Sequence, residues 1–212
     1  MNRPRLILAD DHRILREAFA KLLESYFDVV GQAADGYALI AAVEELNPDV
    51  VVLDIGMPLL NGLGAARILK RTRPSVKLIF LTVSEDPDLA AEAFRCGASG
   101  FLLKNSAASE LLLAVEEAMQ GRSYITPLAA RGLVEAVIQD GEPKKSKEKT
   151  SPRQREVLQL LAEGHTMKEV ASLLHITSRT VAFHKYSVMR EHGIKSSAEL
   201  IKFAIKHHLV SN

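Results

Sequence analysis

Five polar residues stand just past apolar runs: Asp10 and Asp11 after Leu6 to Ala9, Asp54 after Val50 to Leu53, Thr82 after Leu78 to Leu81, and Lys104 after Gly100 to Leu103. Three carboxylates brought together repel unless a cation lies among them, and hard oxygen donors with no His or Cys in the set select Mg2+. Lys104 can hold one oxygen of a phosphoryl group and Thr82 can donate a hydrogen bond to another. Asp54 is then the nucleophile, attacking phosphorus in line while charge on the equatorial oxygens is neutralised. Each residue also has a plainer reading, since acidic residues after strands often cap the next helix, a lysine there can be a surface ion pair, and a threonine can simply end a strand. Order and spacing taken together favour one site.

The apolar runs Leu6 to Ala9, Val29 to Ala33, Val50 to Leu53, Leu78 to Leu81 and Gly100 to Leu103 read as strands. Between them lie amphipathic helical patterns, among them Ile14 to Leu23, apolar at 14, 15, 18, 19, 22 and 23, and Ala107 to Met119, which Ser106 can cap. Five β-α repeats predict a doubly wound, five-stranded parallel sheet covered on both faces. Right-handed crossovers gather the turns after the strands at one edge, where an open α/β fold binds its ligand.

The 212 residues, 47% of them hydrophobic, suit one good core and a smaller second one. Residues 1–140 carry 14 basic against 19 acidic residues, and residues 150–212 carry 9 against 5 with six of the seven histidines. An acidic first part and a basic second part suggest a polyanion partner for the second alone. The stretch Gly141 to Thr150, rich in lysine and without an apolar anchor, reads as a linker. The sole cysteine, Cys96, excludes an internal disulfide and a cysteine-cluster metal site. No apolar run is long enough to span a bilayer, so a cytoplasmic protein without a membrane partner is expected.

From Thr150 onward the pattern is helical, over about 152–163, 167–174, 178–191 and 197–207. Ser151, Thr166 and Ser196 each begin a capping-box pattern, and Thr177 can cap a further helix. The second and third helices are joined only by His175, Ile176 and Thr177, the tight connection of a helix-turn-helix. At about 100° per residue, Val181, His184, Val188 and His192 of the third helix fall on an inward side. Arg179, Ala182, Phe183, Tyr186 and Arg190 gather opposite. In a major groove Ala182 and Phe183 could touch thymine methyls and Tyr186 a base edge or phosphate, while Arg179, Lys185 and Arg190 bind phosphates. Thr180 and His184 complete the candidate DNA contacts. Packing of Phe183 and Tyr186 against another helix or a partner subunit is the competing reading.

Residues 4 to about 120 resemble the receiver domains of two-component response regulators, through Ala9-Asp10-Asp11-His12, Val52-Leu53-Asp54-Ile55-Gly56-Met57-Pro58 with Gly62, Leu81-Thr82, and Gly100-Phe101-Leu102-Leu103-Lys104. Through Ser151-Pro-Arg-Gln-Arg-Glu-Val-Leu, Gly164-His-Thr-Met-Lys-Glu-Val-Ala171 and Ile176-Thr-Ser-Arg-Thr-Val-Ala-Phe-His184 the C-terminal part resembles LuxR-type DNA-binding domains, which makes the whole chain similar to NarL/FixJ-type response regulators. Its departures are Gln154 for the usual glutamate, His175 where glycine is common, His192 where an inward leucine is usual, and Ala182 where a DNA-contacting lysine often stands. The resemblance implies a flavodoxin-like receiver over 1–122, a partly helical linker over 123–149, and an all-α four-helix domain over 150–212. It makes Asp54 the phosphoacceptor, Thr82 and Phe101 a pair that moves on activation, and the backbone carbonyl of Gly56 a Mg2+ ligand beside Asp10, Asp11 and Asp54. The implied partners are a sensor histidine kinase, double-stranded promoter DNA, RNA polymerase, and a second copy in a homodimer when phosphorylated. Gly56 and Ser84 are too small to shield a phosphoryl-aspartate from water, so an adduct that is not unusually long-lived is expected.

Three rival functions stand beside this one, of which dinucleotide binding fails because Gly31 and Gly36 do not make the Gly-rich fingerprint. A phosphatase using Asp54 usually needs a second carboxylate two residues on, where Gly56 stands. A helical domain that contacts protein instead of DNA fits the same aromatic face but not the basic balance.

Overall fold

The computed structural model describes residues 3–105, 108–139, 150–207 and 209–210, leaving aside the side chains of 135–139 and of Pro152. The chain divides into two compact units, residues 1–142 and 143–212. The charged stretch read as a linker, and Ser106 as a cap, lie outside the described residues.

In the first unit the order is β1 (Arg5–Ala9), α1 (Arg13–Leu23), β2 (Asp28–Ala33), α2 (Gly36–Leu46), β3 (Val50–Leu53), α3 (Gly62–Thr72), β4 (Lys77–Thr82), α4 (Pro87–Arg95), β5 (Gly100–Leu103), α5 (Ala108–Met119), β6 (Tyr124–Ile125) and α6 (Pro127–Gln139). The sheet is parallel throughout, ordered β2-β1-β3-β4-β5-β6. The α/β expectation is met, with one correction: among the described residues the sheet has six strands, not five. Residues 124–139, expected to open the linker, form β6 and α6 within the first unit. Tyr124 and Ile125 pair with Gly100 and Phe101, and Ala129 of α6 is buried in the core beneath β5.

Alternation along the strands sends residues to two cores. Ile7, Val51, Leu53, Leu78, Phe80, Phe101 and Leu103 face one layer with α2, α3, α4 and α6, while Leu6, Leu8, Val50, Val52, Ile79, Leu81 and Leu102 face the other with α1 and α5. The stripe expected on α1 is only partly used. Of its positions only Leu23 is buried and Phe19 and Leu22 are half-buried, while Ile14 is 82% exposed and Leu15 and Ala18 are also at the surface; Ala20, outside the stripe, is buried instead. An apolar stripe wider than the sheet's edge leaves its first turn uncovered.

Gly62 opens α3 against the strand that carries Asp54. A Cβ built there would stand 2.0 Å from the Asp54 carbonyl oxygen, and the Gly62 amide donates to Ile55 O at 3.0 Å. Backbone cannot step aside as a side chain can, so Gly62→Ala is expected to destabilise the first unit by about 3 kcal/mol. Chemical denaturation monitored by far-UV circular dichroism would measure this, and a change within error would contradict the close approach.

In the second unit α7 (Pro152–Ala162), α8 (Met167–Leu173), α9 (Ser178–Glu191) and α10 (Ser197–Lys206) surround two small cores. Capping boxes begin α7 at Ser151 with Gln154, and α8 at Thr166 with Glu169. At α10 only half the box forms. Ser196 Oγ accepts from the Glu199 amide, while Glu199 Oε2 accepts from Lys195 N instead of from the cap. His175, between α8 and α9, has φ 51°, the left-handed conformation that explains why glycine is common at this place.

Candidate functional site: a carboxylate cluster and an exposed helix face

Backbone hydrogen bonds carry the sheet's register one residue beyond the strands and so fix the site. Asp54 N donates to Ala9 O at 2.8 Å, Asp10 N to Ala33 O at 3.1 Å, and Lys104 N to Thr82 O at 2.7 Å. Asp10, Asp54 and Thr82 are buried, and Asp11 is half-buried beside them. Lys104 Nζ lies 2.7 Å from Asp10 Oδ2 and 2.8 Å from Asp54 Oδ2, with 6% of its side chain exposed. The strand ends thus bring together the acidic residues and the lysine expected from the sequence.

One ammonium does not balance three carboxylates. Burial first, and then the nearby charge of Asp10, hold the Asp54 carboxyl above its ordinary value, despite Lys104 and a hydrogen bond from the Gly56 backbone. Lys104 feels burial pushing its ammonium down, but Asp54 and Asp10 outweigh this and hold it above its usual range. The lysine is therefore charged, and the cluster retains excess negative charge that a dication would relieve. Asp11 Oδ1 is sealed from solvent and has no hydrogen-bond partner among the described residues, which fits a metal ligand. Ligand atoms of Asp10, Asp11, His12 and Asp54 lie within 4.8 Å of one another. His12 was not foreseen as a member. Its place next to two aspartates was the available signal, but the direction of its ring depends on the loop after β1.

Thr82 Oγ1 accepts from Ser84 N at 3.2 Å, and Ser84 Oγ accepts from Asp86 N at 3.3 Å, so the loop into α4 hangs on the Thr82 hydroxyl. Phe101 is fully buried, opposite Phe80 across the β4–β5 pair and in the same core layer.

In the second unit Val181 and Val188 anchor α9 in the cores. Phe183 is 67% and Tyr186 57% exposed, with Arg179 and Arg190 exposed beside them. Ala182 and Thr180 flank this face half-buried, and Thr180 is tied to the Thr177 cap by its amide and hydroxyl. His184 and Lys185 turn toward the body of the unit. His184 is half-buried, and burial together with the charge of Arg153 pushes its imidazole below the ordinary value. Lys185 lines a groove with Met167, Leu200 and Ile201, its ammonium 5.6 Å from the Tyr186 ring centroid. His192, expected inward, is the exposed C-cap of α9 and stands beside Phe203, ring centroids 4.6 Å apart. The helical wheel that would have pointed it inward ends one residue earlier.

Residues 6–116 match the family model of the response regulator receiver domain, and residues 149–204 match that of bacterial regulatory proteins of the luxR family. The oxygen regulatory protein NreC of Staphylococcus epidermidis is 32% identical over 215 residues, covering 97% of this chain and 99% of that protein. NreC of Staphylococcus aureus is likewise 32% identical over 214 residues, covering 97% and 99%. Among solved structures, RcsB of Salmonella enterica serovar Typhimurium, bound to a promoter in the presence of the phosphomimetic BeF3−, aligns over all of both chains with 29% identity and a TM-score of 0.72. Another Salmonella typhimurium RcsB structure aligns with 27% identity and a TM-score of 0.72, over 96% of this chain and 97% of that one.

Proposed function

This chain belongs to the response regulators that join a receiver domain to a LuxR-type DNA-binding domain and regulate transcription, and on that premise we propose that Asp54 is the phosphoacceptor whose modification controls DNA binding by α9. The observation that carries this reading is Lys104 Nζ held between Asp10 and Asp54 at the strand ends. A sensor histidine kinase supplies the phosphoryl group. An Asp54 carboxylate oxygen bonds to phosphorus as the bond to the kinase's histidine breaks. Lys104 turns to an equatorial oxygen, and the Thr82 hydroxyl donates to another, leaving its bond from Ser84 N. Asp10, Asp11, Asp54 and the Gly56 carbonyl are the residues that would hold Mg2+, which when bound neutralises phosphoryl charge. The small Gly56 and Ser84 leave the adduct open to water. Self-phosphorylation at Asp54 from a phosphodonor and slow dephosphorylation are the only chemistry this reading requires, so the protein acts as a switch.

Loss of the Ser84 contact loosens the loop into α4, and Phe101 follows in the same layer. The phosphorylated form dimerises and places two copies of α9 on two half-sites, in keeping with the RcsB dimers bound to DNA. Arg179, Phe183, Tyr186 and Arg190 make the principal contacts, with Thr180 and Ala182 at their margin and Lys185 and His184 supporting the helix from behind. RNA polymerase is the further partner on promoter DNA, and the cytoplasm is where these partners meet. Among the described residues no helix is long and apolar enough to cross a membrane.

The test is to incubate the protein with acetyl phosphate and Mg2+, reduce the acyl phosphate with borohydride, and map the modified residue by peptide mass. Modification confined to Asp54 is expected. Labelling of Asp10 or Asp11 instead, or none, would refute the assignment.

A further inference from the structure

His12 has no part in the chemistry above, yet its ring is aimed at the site. It occupies the N-cap position of α1 but makes no side-chain capping bond. Its Nδ1 lies 2.9 Å from Asp11 Oδ1 and 3.3 Å from Asp10 Oδ1. At 2.9 Å a hydrogen bond to Asp11 is within reach, but Asp11 Oδ1 remains without a hydrogen-bond partner among the described residues. The two atoms are close without being aligned on each other. The backbone supports this placement, because His12 N donates to Asp10 Oδ1 at 2.9 Å and fixes the loop. Lys104 meanwhile engages the other oxygen of Asp10 and one oxygen of Asp54, so the oxygens facing His12 are not the lysine's.

These separations have a simple geometric meaning. Around a dication with metal–ligand distances of about 2.1 Å, adjacent vertices of an octahedron are about 3.0 Å apart and opposite ones about 4.2 Å. The Nδ1 contacts to Asp11 and Asp10 are close to such edges, and the four donor atoms, Asp54 included, span no more than 4.8 Å. With the imidazole neutral, donors that converge in this way are arranged for a common ion.

We infer that His12 Nδ1 is a metal ligand, which turns an all-oxygen receiver site into a nitrogen–oxygen site that favours Mn2+, Co2+ and related transition-metal dications over Mg2+. The inference rests on the reading of the carboxylate cluster as a cation site. An imidazole adds little to the hold on a hard, reluctantly dehydrated Mg2+, but it strengthens binding of ions later in the first-row series. The residue thus decides which dication the receiver carries, while Asp54 and Lys104 keep their roles.

The test uses the full chain and His12→Ala, a substitution at a half-exposed side chain, with circular dichroism as the check of folding. Electron spin-echo envelope modulation of bound Mn2+ should show coupling to an imidazole 14N in the wild type and lose it in H12A. Isothermal titrations should show the preference for Co2+ over Mg2+ falling about tenfold in H12A, chiefly through weaker Co2+ binding. Mg2+ and Mn2+ binding by the wild type with no 14N coupling, and an unchanged Co2+ preference in H12A, would overturn the role of His12 and leave the cation site standing. Failure of the wild type to bind any of the three ions would overturn the cation site and this inference with it.

Discussion

Asp54→Asn is expected to abolish phosphoryl acceptance completely and, in the metal-free protein, to raise the melting temperature of the first unit. The two effects have one cause. Burial and the charge of Asp10 hold the Asp54 carboxyl above its ordinary value even with Lys104 alongside, so the ionised form is less comfortable folded than unfolded. Such a group binds its proton more readily in the folded state. Its contribution to stability is therefore present below the ordinary carboxylate range and is lost as pH rises through the raised value. The metal-free wild type should lose stability across that window, and the neutral amide of D54N should remove that part of the loss. A gain of about 1 kcal/mol near neutral pH, or several degrees in melting temperature, is the scale to expect for relief of a charge held in place for function. Mg2+ should close the gap by stabilising the wild type more than the variant. Thermal melts of both proteins at acidic and neutral pH, with and without Mg2+, measure all of this. A less stable D54N at neutral pH would show that the Lys104 pairing outweighs the carboxylate repulsion.

The double variant Phe183→Ala, Tyr186→Ala is expected to weaken binding to a promoter fragment by a hundredfold or more, with almost no change in stability. Both rings are largely exposed while Val181 and Val188 do the packing, so truncation should shift the second unit's stability by no more than about 0.5 kcal/mol. At a groove each contact carries on the order of 1–3 kcal/mol, and two lost together give the stated fall. Arg179→Ala should behave differently, weakening binding to all sequences alike and lowering the salt dependence. Fluorescence anisotropy on a fragment recovered by genome-wide mapping distinguishes these outcomes. Unchanged DNA affinity with altered self-association would favour the rival in which this aromatic face meets protein.

The gathering of the site residues at one edge was legible because parallel topology leaves little choice. Once five apolar runs alternate with helical patterns, the residues after them converge, and the structure brings Asp10, Asp54, Thr82 and Lys104 to one edge through ladder bonds that run past the strands. β6 was not legible because two residues, Tyr124 and Ile125, are too few for any periodicity. Its pairing is supplied by the free edge of β5. Ile14 and Leu15 show the limit of an apolar stripe, which says what can be buried and not what neighbouring elements will cover. His192 shows another limit, for a helical wheel holds only while the helix continues. His12 was hidden for a third reason. Its neighbours in sequence were plain, but the aim of a ring depends on a loop's dihedral angles, here φ −78° and ψ 97°.

The account turns on whether phosphorylation of Asp54 is felt at α9, and DNA affinity measured with and without a phosphodonor tests it most directly. Wild type and D54N are titrated onto the same promoter fragment at one fixed salt concentration, before and after acetyl phosphate and Mg2+. The expected result is at least a tenfold tightening for the wild type, about 1.4 kcal/mol, and none for D54N. Equal affinities for the untreated wild type, the treated wild type and D54N would contradict it.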